Sequence, residues 1–195
     1  MKFQDLSKRQ TKRTYLKIKV NKSYIRKKIL KIRKRNTFKN IKVNWGHIHN
    51  VLKKKKVLGR VVGGYYPYNY EVDAIKILKQ FEKKKYQISL PKIKNEYQMD
   101  FFQWSTKDPL TVNKYGIPEP TSNKILYPSI LLVPLVAFDK YLNRVGYGGG
   151  FYDRYIEKTK QNKKILTIGL AYSFQEVKKI PTNKYDKKLD YILTY

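Results

Sequence analysis

Between Arg144 and Arg154 the chain reads Arg-Val-Gly-Tyr-Gly-Gly-Gly-Phe-Tyr-Asp-Arg, and no other stretch constrains the fold as tightly. Three consecutive glycines, with a fourth two residues before them, surrender side-chain burial and carry a large backbone entropy cost. They belong where the chain needs conformational freedom or close approach. Upstream, the apolar run Ile130 to Val136 reads as a buried strand. Downstream, Tyr152, Tyr155 and Ile156 share one face at helical spacing within Phe151 to Lys160. Strand, glycine loop and helix start together make a phosphate cradle, in which backbone amides and the positive helix end face an anion.

The run is not a Walker A loop, since no Gly-Lys-Ser/Thr follows. Nor does it complete Gly-x-Gly-x-x-Gly, because Phe151 stands where the last glycine belongs. The glycines alone also permit a plain left-handed turn between strand and helix. The flanking residues favour the cradle: Arg144 can fork onto a phosphate, and Asp153 can hold a magnesium ion that the phosphate shares.

A chain of 195 residues is long enough to bury a core, and one domain is the expectation. No run of apolar residues is long enough to span a bilayer, so no membrane role is expected. The absence of cysteine excludes disulfides, thiolate catalysis and cysteine-bound metals, and fits a cytoplasmic chain. A net charge of +30 raises nucleic-acid binding as an alternative function. The excess is lysine accompanied by Ile, Asn and Tyr, as AT-rich codons produce, and runs such as Lys53 to Lys56 and Lys83 to Lys85 read as solvated faces. No specific nucleic-acid partner is therefore expected. Residues 1–20 form a basic extension with Asp5 as its only acid. They are either a tail or, through the alternating Leu16, Ile18 and Val20, a short added strand, and the domain proper runs over 21–195.

Along that domain, Asn21 caps a helix marked by Ile25, Ile29 and Ile32, and Ile41, Trp45, Ile48 and Leu52 mark a second. Val57 to Tyr66 reads as a strand, Val72, Ile75, Leu78 and Phe81 as a helix, and Tyr86 to Leu90 and 99–104 as extended. Pro109 to Asn123 reads as a loop, Ile165 to Ala171 as a strand, and Tyr191 to Leu193 as a last one. The alternation argues an α/β fold with helices on the faces of one sheet. His47 and His49, two apart on a helix, point to different faces and do not share a metal.

Several ordered motifs give the chain a family resemblance. Leu132 to Asp139 and Asn143 to Arg154 resemble the signature of the 5-formyltetrahydrofolate cyclo-ligases (methenyltetrahydrofolate synthetases). Lys22-Ser-Tyr-Ile-Arg26, Tyr66 to Asp73, Tyr115-Gly-Ile-Pro-Glu-Pro120, Leu170-Ala-Tyr and Ile180 to Asp186 resemble its other motifs in the right order. The resemblance covers about residues 22–193 and implies a single-domain three-layer α/β/α sandwich with a mostly parallel sheet.

It also implies a reaction, with ATP as co-substrate and magnesium as cofactor. The formyl oxygen of 5-formyltetrahydrofolate is phosphorylated by ATP, nitrogen 10 attacks the activated iminium carbon, phosphate departs, and 5,10-methenyltetrahydrofolate forms. Such a transfer asks for positioning and charge neutralisation more than for covalent help. Lys22 and Arg26 lie one helical turn apart on one face. In a basic surface helix this is unremarkable, but beside the other motifs it favours phosphate binding. The nucleotide site is expected to comprise Lys22, Arg26, Arg144, Val145, Gly146, Tyr147, Gly148, Gly149, Gly150, Phe151 and Tyr152, with Arg144 and Tyr152 at the chemistry.

For the folate, Glu71 is expected to accept hydrogen bonds from the pterin edge. Tyr66 and Tyr115 would wall the pocket, while Tyr147, Gly148, Gly149, Gly150 and Phe151 would meet the formyl end. Asp153 and, by family position, Asp186 are the magnesium candidates, with Asp190 a weaker one. Some family members carry a basic residue where this chain has Gly149, so the cation on the transferring phosphate must come from Arg144, Lys22 or the metal. Another ATP-dependent enzyme on the same scaffold is a further alternative. A monomer or weak homo-oligomer is expected.

Overall fold

The computed structural model describes residues 21–36, 43–95 and 97–195. The extension 1–20, with its possible strand, and Ile41 of the second helix lie outside the described residues.

Asn21 caps α1 (Lys22–Arg35) through its side chain, which accepts the backbone N–H of Tyr24 at 2.8 Å. Asn44 caps α2 (Trp45–Lys54) in the same way. A short strand β1 (Val61–Gly63) replaces the longer one expected over 57–66. Asp73 caps α3 (Ala74–Lys83), which buries Ala74, Ile77, Leu78 and Phe81. Next come β2 (Gln87–Asn95) and β3 (Gln98–Trp104). The segment read as a loop folds back on itself as β4 (Leu110–Val112) and β5 (Pro118–Pro120), turning at Gly116 with φ +74°.

After β6 (Ile125–Leu126) and β7 (Ile130–Pro134), a small ladder of β8 (Ala137–Phe138) and β9 (Arg144–Val145) stands between the buried strand and the glycine loop. The chain ends with α4 (Phe151–Asn162), β10 (Leu166–Ala171) and β11 (Tyr191–Thr194).

The main sheet runs β11-β10-β7-β1-β2-β3-β6. Its first five strands are mutually parallel, and β3 is antiparallel to both its neighbours. All six residues of β10 and four of the five in β7 are buried, as expected of parallel strands covered on both faces. On one face α2 and α3 pack with Val62, Ile130, Leu132 and Ile168. On the other, Tyr155 and Ile156 of α4 pack with Phe101, Leu131 and Val133. The expected three-layer α/β/α sandwich is the observed one. From β1 the chain moves to β2 on one side, then crosses to β7 on the other, so the strand order reverses between β1 and β7. A crevice opens beyond the carboxyl ends of strands at such a switch point.

Candidate active site

Four segments meet at that end of the sheet: the loop after β1, the β8–β9 ladder with the glycine loop, the segment after β10, and α1. Helix α1 lies across them, because Ile25 and Ile29 pack against Val136, Ala137, Val145 and Ile180.

The glycine loop enters α4 without a side-chain cap. Gly150 occupies the N-cap position in the left-handed region at φ +68°, and Gly148 stands at φ +110°. These two glycines are where a side chain would be strained, and they leave the first-turn amides of α4 without a capping group. Arg26 reaches the loop from α1, donating from Nε to the Gly146 carbonyl at 2.9 Å. Arg154 reaches back from α4 to the Gly149 carbonyl at 2.9 Å and to the Tyr97 carbonyl at 2.8 Å. Val145 is buried in the core beneath α1, so it offers the crevice only its backbone.

Both candidate metal carboxylates are already paired with candidate phosphate cations. The nearly buried Arg144 guanidinium lies 3.1 Å from Asp153 Oδ1 and donates to the Lys187 carbonyl at 2.8 Å. Lys22 Nζ pairs with both oxygens of Asp186. The Lys187 N–H donates to Asp153 Oδ1 at 2.9 Å, which draws Asp186, its chain neighbour, towards Asp153. A hard cation sharing phosphate oxygens needs only one or two carboxylates, and this arrangement fits magnesium. Among the described residues no larger cluster of His, Cys, Asp and Glu exists. Asp190 belongs to the scaffold: it accepts from the Thr167 N–H and hydroxyl near the start of β10, away from the crevice.

Glu71 is buried on the loop after β1, where Oε2 accepts the Tyr68 N–H at 2.9 Å. Burial pushes its carboxyl up to about 7, against the opposing pull of the Tyr68 N–H and Arg33. Tyr152 is raised above the ordinary phenol range by burial and then by Glu71. It is therefore a neutral hydroxyl at physiological pH, a donor and not a base. Tyr147 is raised for the same two reasons. Tyr66 and Tyr115 are partly exposed, and no hydrogen bond or ring contact joins either of them to the glycine loop among the described residues. Tyr115 sits on the β4–β5 turn beside Lys114.

Two structural residues escaped the sequence reading. Asp139, fully buried, accepts the N–H groups of Tyr141, Asn143 and Ile180, and so ties the β8–β9 turn to the segment that carries Asp186. Arg33 is 1% exposed and donates to the Tyr147 hydroxyl at 3.0 Å and to the Leu135 carbonyl. In contrast, the lysines of 53–56 and 83–85 are exposed at helix ends, as solvated faces should be.

A glycine loop opening a helix at the switch point of a parallel sheet, beside paired basic and acidic side chains, defines a nucleotide-using α/β enzyme. Residues 18–195 match the 5-formyltetrahydrofolate cyclo-ligase family. A 5-formyltetrahydrofolate cyclo-ligase of Haemophilus influenzae is 32% identical over 154 residues, covering 75% of this chain and 81% of the relative. The structure of Aquifex aeolicus 5,10-methenyltetrahydrofolate synthetase superimposes with a TM-score of 0.65 at 28% identity, covering 89% of each chain. The Mycoplasma pneumoniae 5,10-methenyltetrahydrofolate synthetase shares the fold, with a TM-score of 0.64 at 24% identity over 89% of this chain and 98% of that one. The chain belongs to the 5-formyltetrahydrofolate cyclo-ligase family. No helix among the described residues is long and apolar enough to cross a membrane.

Proposed function

We propose that the crevice performs the family's reaction: ATP-dependent cyclisation of 5-formyltetrahydrofolate to 5,10-methenyltetrahydrofolate, with release of ADP and phosphate. The observation that carries this reading is the juxtaposition of a cradle and a buried carboxyl group. The open α4 amides and Arg144 lie on one side, and the buried Glu71 carboxyl on the other, with the Tyr152 hydroxyl in the field of both Glu71 and Arg144.

In this reading the triphosphate lies along the glycine loop, with Lys22, Arg26 and Arg144 neutralising its charge. Asp153 and Asp186 would hold magnesium, which would supply charge neutralisation on the phosphate oxygens. Glu71 accepts hydrogen bonds from the pterin edge and fixes the folate with its formyl group towards the loop. Tyr152 donates a hydrogen bond towards the transferring oxygen and steadies the charge that develops there. Tyr66 and Tyr115 wall the outer pocket. The cation that Gly149 does not supply comes from Arg144, which burial and the Asp153 pair pre-orient.

Release of ADP tests the reading. It should require 5-formyltetrahydrofolate and should not be evoked by tetrahydrofolate lacking the formyl group. Equal ADP release with either compound would refute it.

A further inference from the structure

Arg33 lies in the core without a carboxylate within 4 Å among the described residues, and its Nε has no hydrogen-bond partner there. A buried guanidinium is costly unless its surroundings compensate it, and its two satisfied contacts are specific. One anchors it to the Leu135 carbonyl just beyond β7, and the other holds the Tyr147 hydroxyl at 3.0 Å. Tyr147 stands inside the glycine loop. Its hydroxyl donates onward to the Tyr68 carbonyl at 3.4 Å, and the two rings meet edge to face with centroids 5.9 Å apart. The Tyr68 N–H in turn donates to Glu71 Oε2 at 2.9 Å. A continuous path of contacts therefore runs from α1, through the glycine loop, to the Glu71 carboxylate.

The middle link is the long one. At 3.4 Å an O–H···O contact is stretched well past its usual length, whereas the links on either side are of ordinary length. We propose that Arg33 and Tyr147 are positioning residues that form a joint between the two half-sites, such that closing the Tyr147–Tyr68 link with either ligand pre-forms the site for the other. The proposal rests on the assignment of the glycine loop to ATP and Glu71 to folate. ATP settling on the loop fixes Tyr147, which draws in the Tyr68 carbonyl and sets the Glu71 carboxylate. Folate held by Glu71 draws Tyr147 in the reverse direction. Linkage requires the two effects to be equal in binding free energy.

The test is the affinity of the full chain for 5-formyltetrahydrofolate, measured by titration calorimetry with and without a non-hydrolysable ATP analogue and magnesium. In the wild-type chain the analogue should tighten folate binding by about fivefold or more, and folate should tighten the analogue by the same factor. Tyr147→Phe keeps the ring and removes both hydroxyl links. It should bring the coupling ratio to within about twofold, and the ratio is read whatever the variant does to each ligand's affinity alone. Arg33→Met should do the same; if that chain does not fold, Tyr147→Phe decides alone. A purely structural role would weaken single-ligand binding or lower the melting temperature and leave the coupling ratio intact. Undiminished coupling in Tyr147→Phe, or no coupling in a wild-type chain that binds both ligands, overturns the joint. A wild-type chain that binds the analogue but not folate overturns the folate assignment itself, and the joint with it.

Discussion

Arg144 Nη2 and Asp153 Oδ1 stand 3.1 Å apart across the mouth of the glycine loop. The cation proposed for phosphate and the carboxylate proposed for magnesium thus hold each other. Lys22 and Asp186 form a second pair of the same kind. Each pair presents both charges ready-placed, and the first keeps the buried Arg144 from standing uncompensated.

Asp153→Asn retains an acceptor for Arg144 and the Lys187 N–H, so the fold should survive with a stability loss of about 1–2 kcal/mol. Turnover should fall on the order of a hundredfold, and the magnesium concentration at half-maximal rate should rise. Steady-state rates across a magnesium titration check this. An unchanged magnesium dependence would remove Asp153 from the metal site.

Gly149→Val strikes the loop by contact, not by backbone strain. A Cβ there would stand 2.9 Å from the Phe151 ring, which would have to move. Overpacking of this kind costs roughly 1–3 kcal/mol, so the KM for ATP should rise about tenfold or more. Wild-type ATP affinity in this variant would count against the cradle.

Glu71 links function to pH. Its carboxyl is raised from an ordinary 4.5 to about 7 by burial, and the groups facing it are Arg33, Tyr65, Tyr147 and Tyr152. In the proposed function the ionised form accepts folate, so folate affinity should fall about tenfold per pH unit below 7. Glu71→Gln should flatten that dependence and weaken binding by roughly ten- to a hundredfold.

The same group governs stability in the opposite sense. Between pH 4.5 and about 7 the folded chain binds the Glu71 proton more tightly than the unfolded chain, so stability declines as pH rises through that window. Ionising Glu71 in place costs about 3 kcal/mol. Glu71→Gln should therefore melt higher than wild type at pH 8 and close to it at pH 4.5. A lower melting temperature at pH 8 would show that the carboxylate is not desolvated.

Much of this architecture was legible in the sequence because it rests on local signals. The Asn21 cap, the continuous apolar runs of β7 and β10, and the glycine loop running into α4 each declare themselves within a few residues. What escaped depended on tertiary placement. Ile25, Ile29 and Ile32 predict the buried stripe of α1, yet Arg33 and not Ile32 completes it. Both lie within reach of the same face at 100° per residue, and an arginine in so basic a helix reads as solvated until Leu135 and Tyr147 are found beside it. The β8–β9 ladder is too short to show periodicity, and the buried Asp139 that orders its turn draws one donor from a segment about forty residues away. The β4–β5 hairpin hid behind its prolines and glycine, which mark turns more strongly than strands.

The central claim is tested most directly by near-ultraviolet absorbance of the purified chain mixed with 5-formyltetrahydrofolate, ATP and magnesium. A rise from the methenyl product that depends on ATP is the predicted result. A flat trace from folded chain that still binds ATP would contradict the account.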